Sequence, residues 1–224
     1  MTFSIAARCQ ASGQLGVAVS SSSIAVGARC PWLLPGTGAA SSQNVTLPSL
    51  GQQALAQLAQ GASAEQALRR ALADDDFSAW RQLIVINAAG ETAAFSGEKT
   101  LGTHRTSQRE NCVAAGNMLA SPGAIDAMTE AFTCATGALA DRLLAAMQAA
   151  MDAGGEAGPV HSAALKIVGN HAWPIVDLRI DWTDACPIQA LQTLWRDYAP
   201  QMQDYLTRAD DPRRAPSYGV PGDE

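Results

Sequence analysis

From Val176 to Trp182 the chain changes character at every step: Val176, Leu178, Ile180 and Trp182 are apolar, and the intervening Asp177, Arg179 and Asp181 are charged. A period of two predicts a strand with one dry face and one wet face. Residues 161–168 precede it as a second apolar strand, so the two are predicted to pair as a hairpin. Residues 3–9 with 14–20, turning at Gly13, and 81–87 with 91–95, turning at Ala88-Ala89-Gly90, read the same way. Connections this short require antiparallel pairing. Residues 38–43 and 110–115 are read as further short strands.

Between the hairpins the spacing switches to three and four. Residues 50–72 predict a helix broken at Gly61, and Ser63 with Gln66 forms a capping-box pattern for its second half. Ala64, Ala67, Leu68, Ala71 and Leu72 make one apolar stripe. Ser121-Pro122 predicts the start of a helix running to about Cys134. Leu139, Leu143, Met147, Ala150 and Met151 mark another that stops at Gly154-Gly155. Pro187 opens the last, carrying Ile188, Leu191, Trp195 and Tyr198. Strand pairs alternating with helices predict an α+β domain of two stacked antiparallel sheets with helices outside, over residues 1–198. Periodicity fades after Pro200, and residues 199–224 are expected to form an extended tail draped over a neighbouring subunit of a homodimer or larger homo-oligomer.

Composition narrows the function. With 224 residues, 47% of them apolar, the chain can bury a full core without staples. A net charge of −6 without a basic stripe argues against nucleic acid as a partner. No apolar run approaches the ~18 residues of a membrane span, and no basic segment leads into an apolar one at the start, so a cytoplasmic protein is expected. The five cysteines form no CxxC and are expected as reduced thiols. The three histidines lie far apart, so neither a metal site nor another cofactor is expected.

Thr2 is the first candidate for chemistry. Aminopeptidases remove Met1 ahead of small residues, which would leave Thr2 with a free α-amine beside its own hydroxyl, a nucleophile with a built-in base. The plainer reading is a threonine at a position where threonine is common. Ser21 and Ser22, within the run Ser20–Ser23 at the end of the second strand, could donate hydrogen bonds to the amine or hydroxyl, or could be an ordinary serine-rich loop. Arg29 could hold a substrate carboxylate or lie on the surface. Gln43-Asn44 and Gly116-Asn117 each place an amide in an apolar setting. Asn117 beside a backbone N–H would make an oxyanion hole, against the commoner use of loop asparagine as a turn cap. His161, at a strand start, is a substrate-side candidate or a histidine satisfied locally. Cys9 and Cys30 are read as buried structural thiols, with a nucleophilic role as the rival.

The segments MTFSIAAR, GQLGVAVSSSSIAVGARCPW, GTGAASSQNVTLPSLG, RQLIVINAAGETAAFSG, AAGNMLASP and HSAALKIV with VDLRID, in this order, resemble the DUF1028 family. That family is placed in the N-terminal-nucleophile hydrolase-like superfamily. The resemblance implies a four-layer αββα sandwich and hydrolysis of an amide or related C–N bond of a small molecule. It puts Thr2 at the nucleophile position and leaves the substrate open.

Overall fold

The computed structural model describes residues 1–222. Strands β1 (Thr2–Arg8) and β2 (Leu15–Ser21) form the first hairpin, in register from Thr2 opposite Ser21 to Arg8 opposite Leu15. Strands β3 (Pro31–Leu34) and β4 (Gly38–Asn44) follow, then helices α1 (Ser49–Ala59) and α2 (Ala64–Leu72). Next come β5 (Arg81–Asn87), β6 (Thr92–Ser96), β7 (Arg105–Arg109) and β8 (Cys112–Asn117). Helices α3 (Gly123–Cys134) and α4 (Leu139–Asp152) lead to β9 (Ser162–Val168), β10 (Pro174–Ile180) and α5 (Pro187–Asp210). The strands make a six-stranded sheet of order β10-β9-β2-β1-β8-β7 and a four-stranded sheet of order β3-β4-β5-β6.

Side-chain alternation along β1 shows what each face does. Phe3, Ile5 and Ala7 are buried in one cluster with Phe132 of α3, Leu143 and Met147 of α4, and Leu191 of α5. Ala6 points the other way, into a cluster with Ile84 and Ile86 of β5 and Ala39 of β4. Period two then puts Thr2 and Ser4 on the face toward the smaller sheet, and Ser4 Oγ donates to Gln43 Oε1 of β4 at 2.6 Å. The outer side of the smaller sheet packs on α1 and α2 through Leu50, Leu58, Leu68, Leu83 and Val85. Close approach there depends on Gly51, where an added Cβ would sit 2.2 Å from Trp32 Cδ1. The Ser63–Gln66 capping box forms at the start of α2.

Several features differ from the pattern read along the chain, beginning with β3 over Pro31–Leu34, where the sequence predicts no strand. β7 is a polar edge strand held by β8, with no apolar alternation of its own. β8 begins at Cys112 rather than at 110, because Asn111 turns the chain with φ +60°. The tail is the larger correction. Helix α5 runs through Pro200 to Asp210. A proline inside a helix removes one backbone hydrogen bond, but the tyrosines on either side, Tyr198 and Tyr205, stack at 6.0 Å and 9°. Met202 and Leu206 pack onto this chain's own core. Beyond the helix, the Arg208 guanidinium donates to Pro216 O at 2.8 Å and lies 3.8 Å from the Tyr218 ring centre, folding the end of the chain back on α5. Asp223 and Glu224 lie outside the described residues. Among the described residues no helix is long and apolar enough to cross a membrane.

Candidate functional site

Register across the larger sheet lines up four polar residues. Ser162 of β9 faces Ser21 of β2, Ser21 faces Thr2 of β1, and Thr2 faces Asn117 of β8. Residues directly opposite share a face of the sheet, so two strand pairings bring Thr2 between a hydroxyl and an amide. All four are buried, Thr2 with 6% of its surface exposed. Thr2 Oγ1 donates to the carbonyl oxygen of Met1 at 2.5 Å, and Ser21 Oγ donates to the same oxygen. Ser21 Oγ in turn accepts the backbone N–H of Ser23 at 3.1 Å. Two hydroxyls thus converge on the carbonyl of the peptide bond whose nitrogen belongs to Thr2.

A strap covers this end of β1. From Gly155 to His161 the chain crosses from the end of β8 to the end of β2. Ala120 N–H donates to Gly155 O, Glu156 bridges to Leu119, and Ala157 N–H donates to Met118 O. At the far side His161 N–H donates to Ser21 O at 2.9 Å. Met1 lies beneath the strap, its Cε 2.9 Å from where a Cβ on Gly158 would be. The strap also carries a carboxyl. Glu156 is 5% exposed, and its Oε2 accepts Ser22 N–H at 3.2 Å. Burial pushes the Glu156 carboxyl up to about 7, against the opposing pull of the N-terminal ammonium and Ser22.

Behind Asn117 runs a chain of buried amides between the sheets. Gln82 Nε2 donates to Gly116 O at 3.0 Å and Ser96 Oγ at 2.9 Å, which fixes which end of that amide is nitrogen. Gln43 Nε2 donates to Ala115 O at 3.1 Å and to Gln82 Oε1 at 2.7 Å. Gln82 Oε1 is an acceptor only, so Asn117 must turn its Nδ2 to it, at 3.0 Å. The Asn117 atom left buried without a partner is the acceptor Oδ1. This differs from an asparagine whose N–H groups both stand free for an oxyanion.

The remaining candidates divide between the site and the scaffold. Ser22 contributes its backbone N–H to Glu156. Arg29 spends its guanidinium on its own loop, donating to Ile24 O at 2.6 Å and Ala25 O at 3.1 Å, with Ser23 Oγ at 3.3 Å. Gln43 orders the amide chain one step in from Thr2. Asn44, at φ +75°, ties down loops by donating to Trp80 O and accepting Leu101 N–H. Gly116 is a packing position, because a Cβ there would meet Ile125 Cδ1 at 2.6 Å. The His161 ring is taken up by its own neighbours: it stacks on Trp182 at 4.2 Å and its Nδ1 is 2.8 Å from Thr183 O. Cys9 follows the opposite end of β1 from Thr2, and burial pushes the Cys30 thiol up to about 11, which disfavours a thiolate nucleophile. Sequence reasoning missed Gln82 and Glu156. A lone glutamine in the apolar run RQLIVIN was the one signal available for the first. Among the described residues no group of three or more His, Cys, Asp or Glu is placed to hold a metal ion.

Comparisons with known proteins fit this picture at the level of the fold. The structure is similar to the crystal structure of a protein from Silicibacter pomeroyi assigned to DUF1028, with 32% identity over 88% of this chain and 89% of that one and a TM-score of 0.83. It is more distantly similar to Anbu (ancestral beta-subunit) from Yersinia bercovieri, with 12% identity over 91% of this chain and 97% of that one and a TM-score of 0.40. For Anbu from Hyphomicrobium sp. strain MC1 the values are 11%, 97%, 100% and 0.44. The two Anbu likenesses are too faint to carry weight for fold or activity. Comparison with curated proteins gives no match. Residues 2–191 match the family described as "Family of unknown function (DUF1028)", and the chain belongs to that family.

Proposed function

We propose that the protein is an N-terminal-nucleophile amidohydrolase of four-layer αββα build that cleaves the C–N bond of a small polar amide, with Thr2 Oγ1 as nucleophile once Thr2 is the first residue. The observation that supports this best is the convergence of the Thr2 and Ser21 hydroxyls on the carbonyl bonded to the Thr2 nitrogen. In the reaction Oγ1 attacks the substrate carbonyl carbon and its proton passes to the free α-amine. That amine has an ordinary pKa of about 8, near enough to neutrality to serve as base. The C–N bond breaks as the α-ammonium returns the proton to the leaving amine. Water, deprotonated by the same amine, then hydrolyses the Thr2 ester, releasing the acid and restoring the hydroxyl.

Ser21 Oγ donates to the oxyanion in this scheme, taking the role first considered for Asn117. Asn117 Oδ1, buried and unpartnered beside Thr2, accepts from the α-ammonium and holds it against its own hydroxyl.

Intact-mass measurement should show loss of Met1. Thr2→Ala, whose small second residue is trimmed equally, should lower hydrolysis of short-chain anilides by at least about a thousandfold, and Thr2→Ser should retain part of it. Undiminished turnover by Thr2→Ala sinks the nucleophile assignment. The depth of Thr2 under the strap favours one rival: a non-catalytic, ligand-binding member of the fold that keeps Met1. Met1 would then be found intact, and Thr2→Ala would leave ligand binding unchanged.

A further inference from the structure

Two acceptor atoms near the start of the chain are buried without a hydrogen-bond partner among the described residues: Asn117 Oδ1 and Glu156 Oε1. The first is used by the scheme above; the second is not. Leaving a buried carboxylate oxygen unpaired is costly, because it has given up water and gained nothing. Its other oxygen is held by Ser22 N–H, so the group is fixed in place and cannot swing out to solvent without breaking that bond.

Met1 lies beside the same strap and marks where an acyl group could sit. Its carbonyl oxygen receives the Thr2 and Ser21 hydroxyls, next to the place a substrate carbonyl would take once the Met1–Thr2 bond is gone. Its side chain rests against Gly158 of the strap. Its α-ammonium opposes the effect of burial on the Glu156 carboxyl from beyond ion-pair distance. In this arrangement Met1 stands in for an acyl group: carbonyl at the two hydroxyls, a primary ammonium one carbon away, and a carboxyl beyond it.

We infer that Glu156 is a specificity-determining residue that selects amides whose acyl part carries a primary ammonium one or two carbons from the carbonyl, through an ion pair to Glu156 Oε1. The position of the carbonyl rests on the reading of Thr2 as nucleophile, but the recognition step needs no turnover. An α-ammonium placed as in Met1 stops short of the carboxyl, so one further carbon should improve the pairing.

The test compares ligands of equal size that differ only in charge. Glycinamide with propionamide, and β-alaninamide with butyramide, would be titrated into the Met1-free protein and its Thr2→Ala form near neutral pH, by calorimetry or ligand-observed NMR. Each cationic amide should bind at least about tenfold more tightly than its neutral partner in both proteins, with β-alaninamide the tighter of the two cations. Glu156→Gln should erase the preference while leaving the neutral amides unaffected. Equal binding within each pair overturns the inference, and it does so without any variant, so a misfolded Glu156→Gln cannot shelter it. A charge preference that survives Glu156→Gln overturns it too. If the preference is found but Thr2→Ala still hydrolyses anilides, the nucleophile assignment fails and the Glu156 site stands.

Discussion

A buried carboxyl with a raised pKa makes a claim on stability that can be measured apart from activity. Glu156 moves from 4.5 to about 7 on folding, with burial as the main cause. At about 1.4 kcal/mol per unit, the folded state is penalised by about 3 kcal/mol once the group is ionised in both states. The sign follows from proton counting. Below pH 4.5 both states hold the proton and Glu156 adds no pH dependence. Between 4.5 and about 7 the unfolded chain releases it first, so stability falls as pH rises, and above that window the loss is complete. Glu156→Gln keeps the shape and the acceptor for Ser22 N–H but cannot ionise. The variant should match the wild type near pH 4.5 and exceed it by up to about 3 kcal/mol near pH 8. In urea melts that is a midpoint difference of roughly 1–2 M, growing with pH. Contributions from Asp75 and other carboxyls occur in both proteins and cancel in the difference. The charge acting on Glu156 is that of the N-terminal ammonium, which opposes the effect of burial. Loss of Met1 would admit water and reduce the figure without changing its sign. A difference independent of pH, or a wild type that gains on the variant as pH rises, would refute the account of Glu156 as a desolvated, incompletely paired carboxyl.

Other perturbations test other parts of the molecule. Gln82→Leu strips the partners from Asn117 Nδ2, Gln43 Nε2 and Gly116 O together and should cost at least about 3 kcal/mol in urea melts; a cost below about 1 kcal/mol would mean that the amide chain is not closed to water. Arg81 pairs with Asp75 at 2.8 Å and donates to Val45 O, so Arg81→Met should destabilise by about 2 kcal/mol or more. The Arg81 hydrogen bond also holds the Asp75 carboxyl below its ordinary range, and that part of the stability, lost as pH falls through the folded pKa, should vanish in the variant. In thiol labelling the exposed Cys134 should react first, while Cys30 and Cys112, both pushed up to about 11 by burial, should react only as the protein unfolds.

What could be read from the chain depended on how local its cause was. The three long hairpins are each set by their own short turns and apolar runs, and the middle of β10 keeps the alternation read for it: Val176 and Leu178 are buried, Asp177 and Arg179 exposed, whereas Trp182, expected on the dry face, lies beyond the strand and is exposed. β7 has no such pattern, because RTSQR is a strand only by virtue of its pairing with β8. Proline at 200 signalled a stop that the packing of Tyr198, Met202 and Leu206 overrides. At the site, Thr2, Ser21 and Asn117 were each visible as candidates, and the first hairpin sets Thr2 opposite Ser21, but that Asn117 joins the row is a fact of register between strands more than a hundred residues apart. Glu156 was not visible at all. It sits in the glycine-rich stretch GGEAG, which reads as a surface loop, and it is buried only because that stretch bridges to Leu119 and crosses to Ser21.

The strap over the start of β1 bears on how the protein is produced. A purification tag or fusion partner placed ahead of Thr2 keeps the Thr2 nitrogen as a peptide amide. It also has to lead a longer chain out past Gly158, against which the Met1 side chain lies. Material tagged at the front and material tagged at the back are chemically different proteins at this one place. A substrate screen should use the second, with the first residue verified by mass before any compound is added.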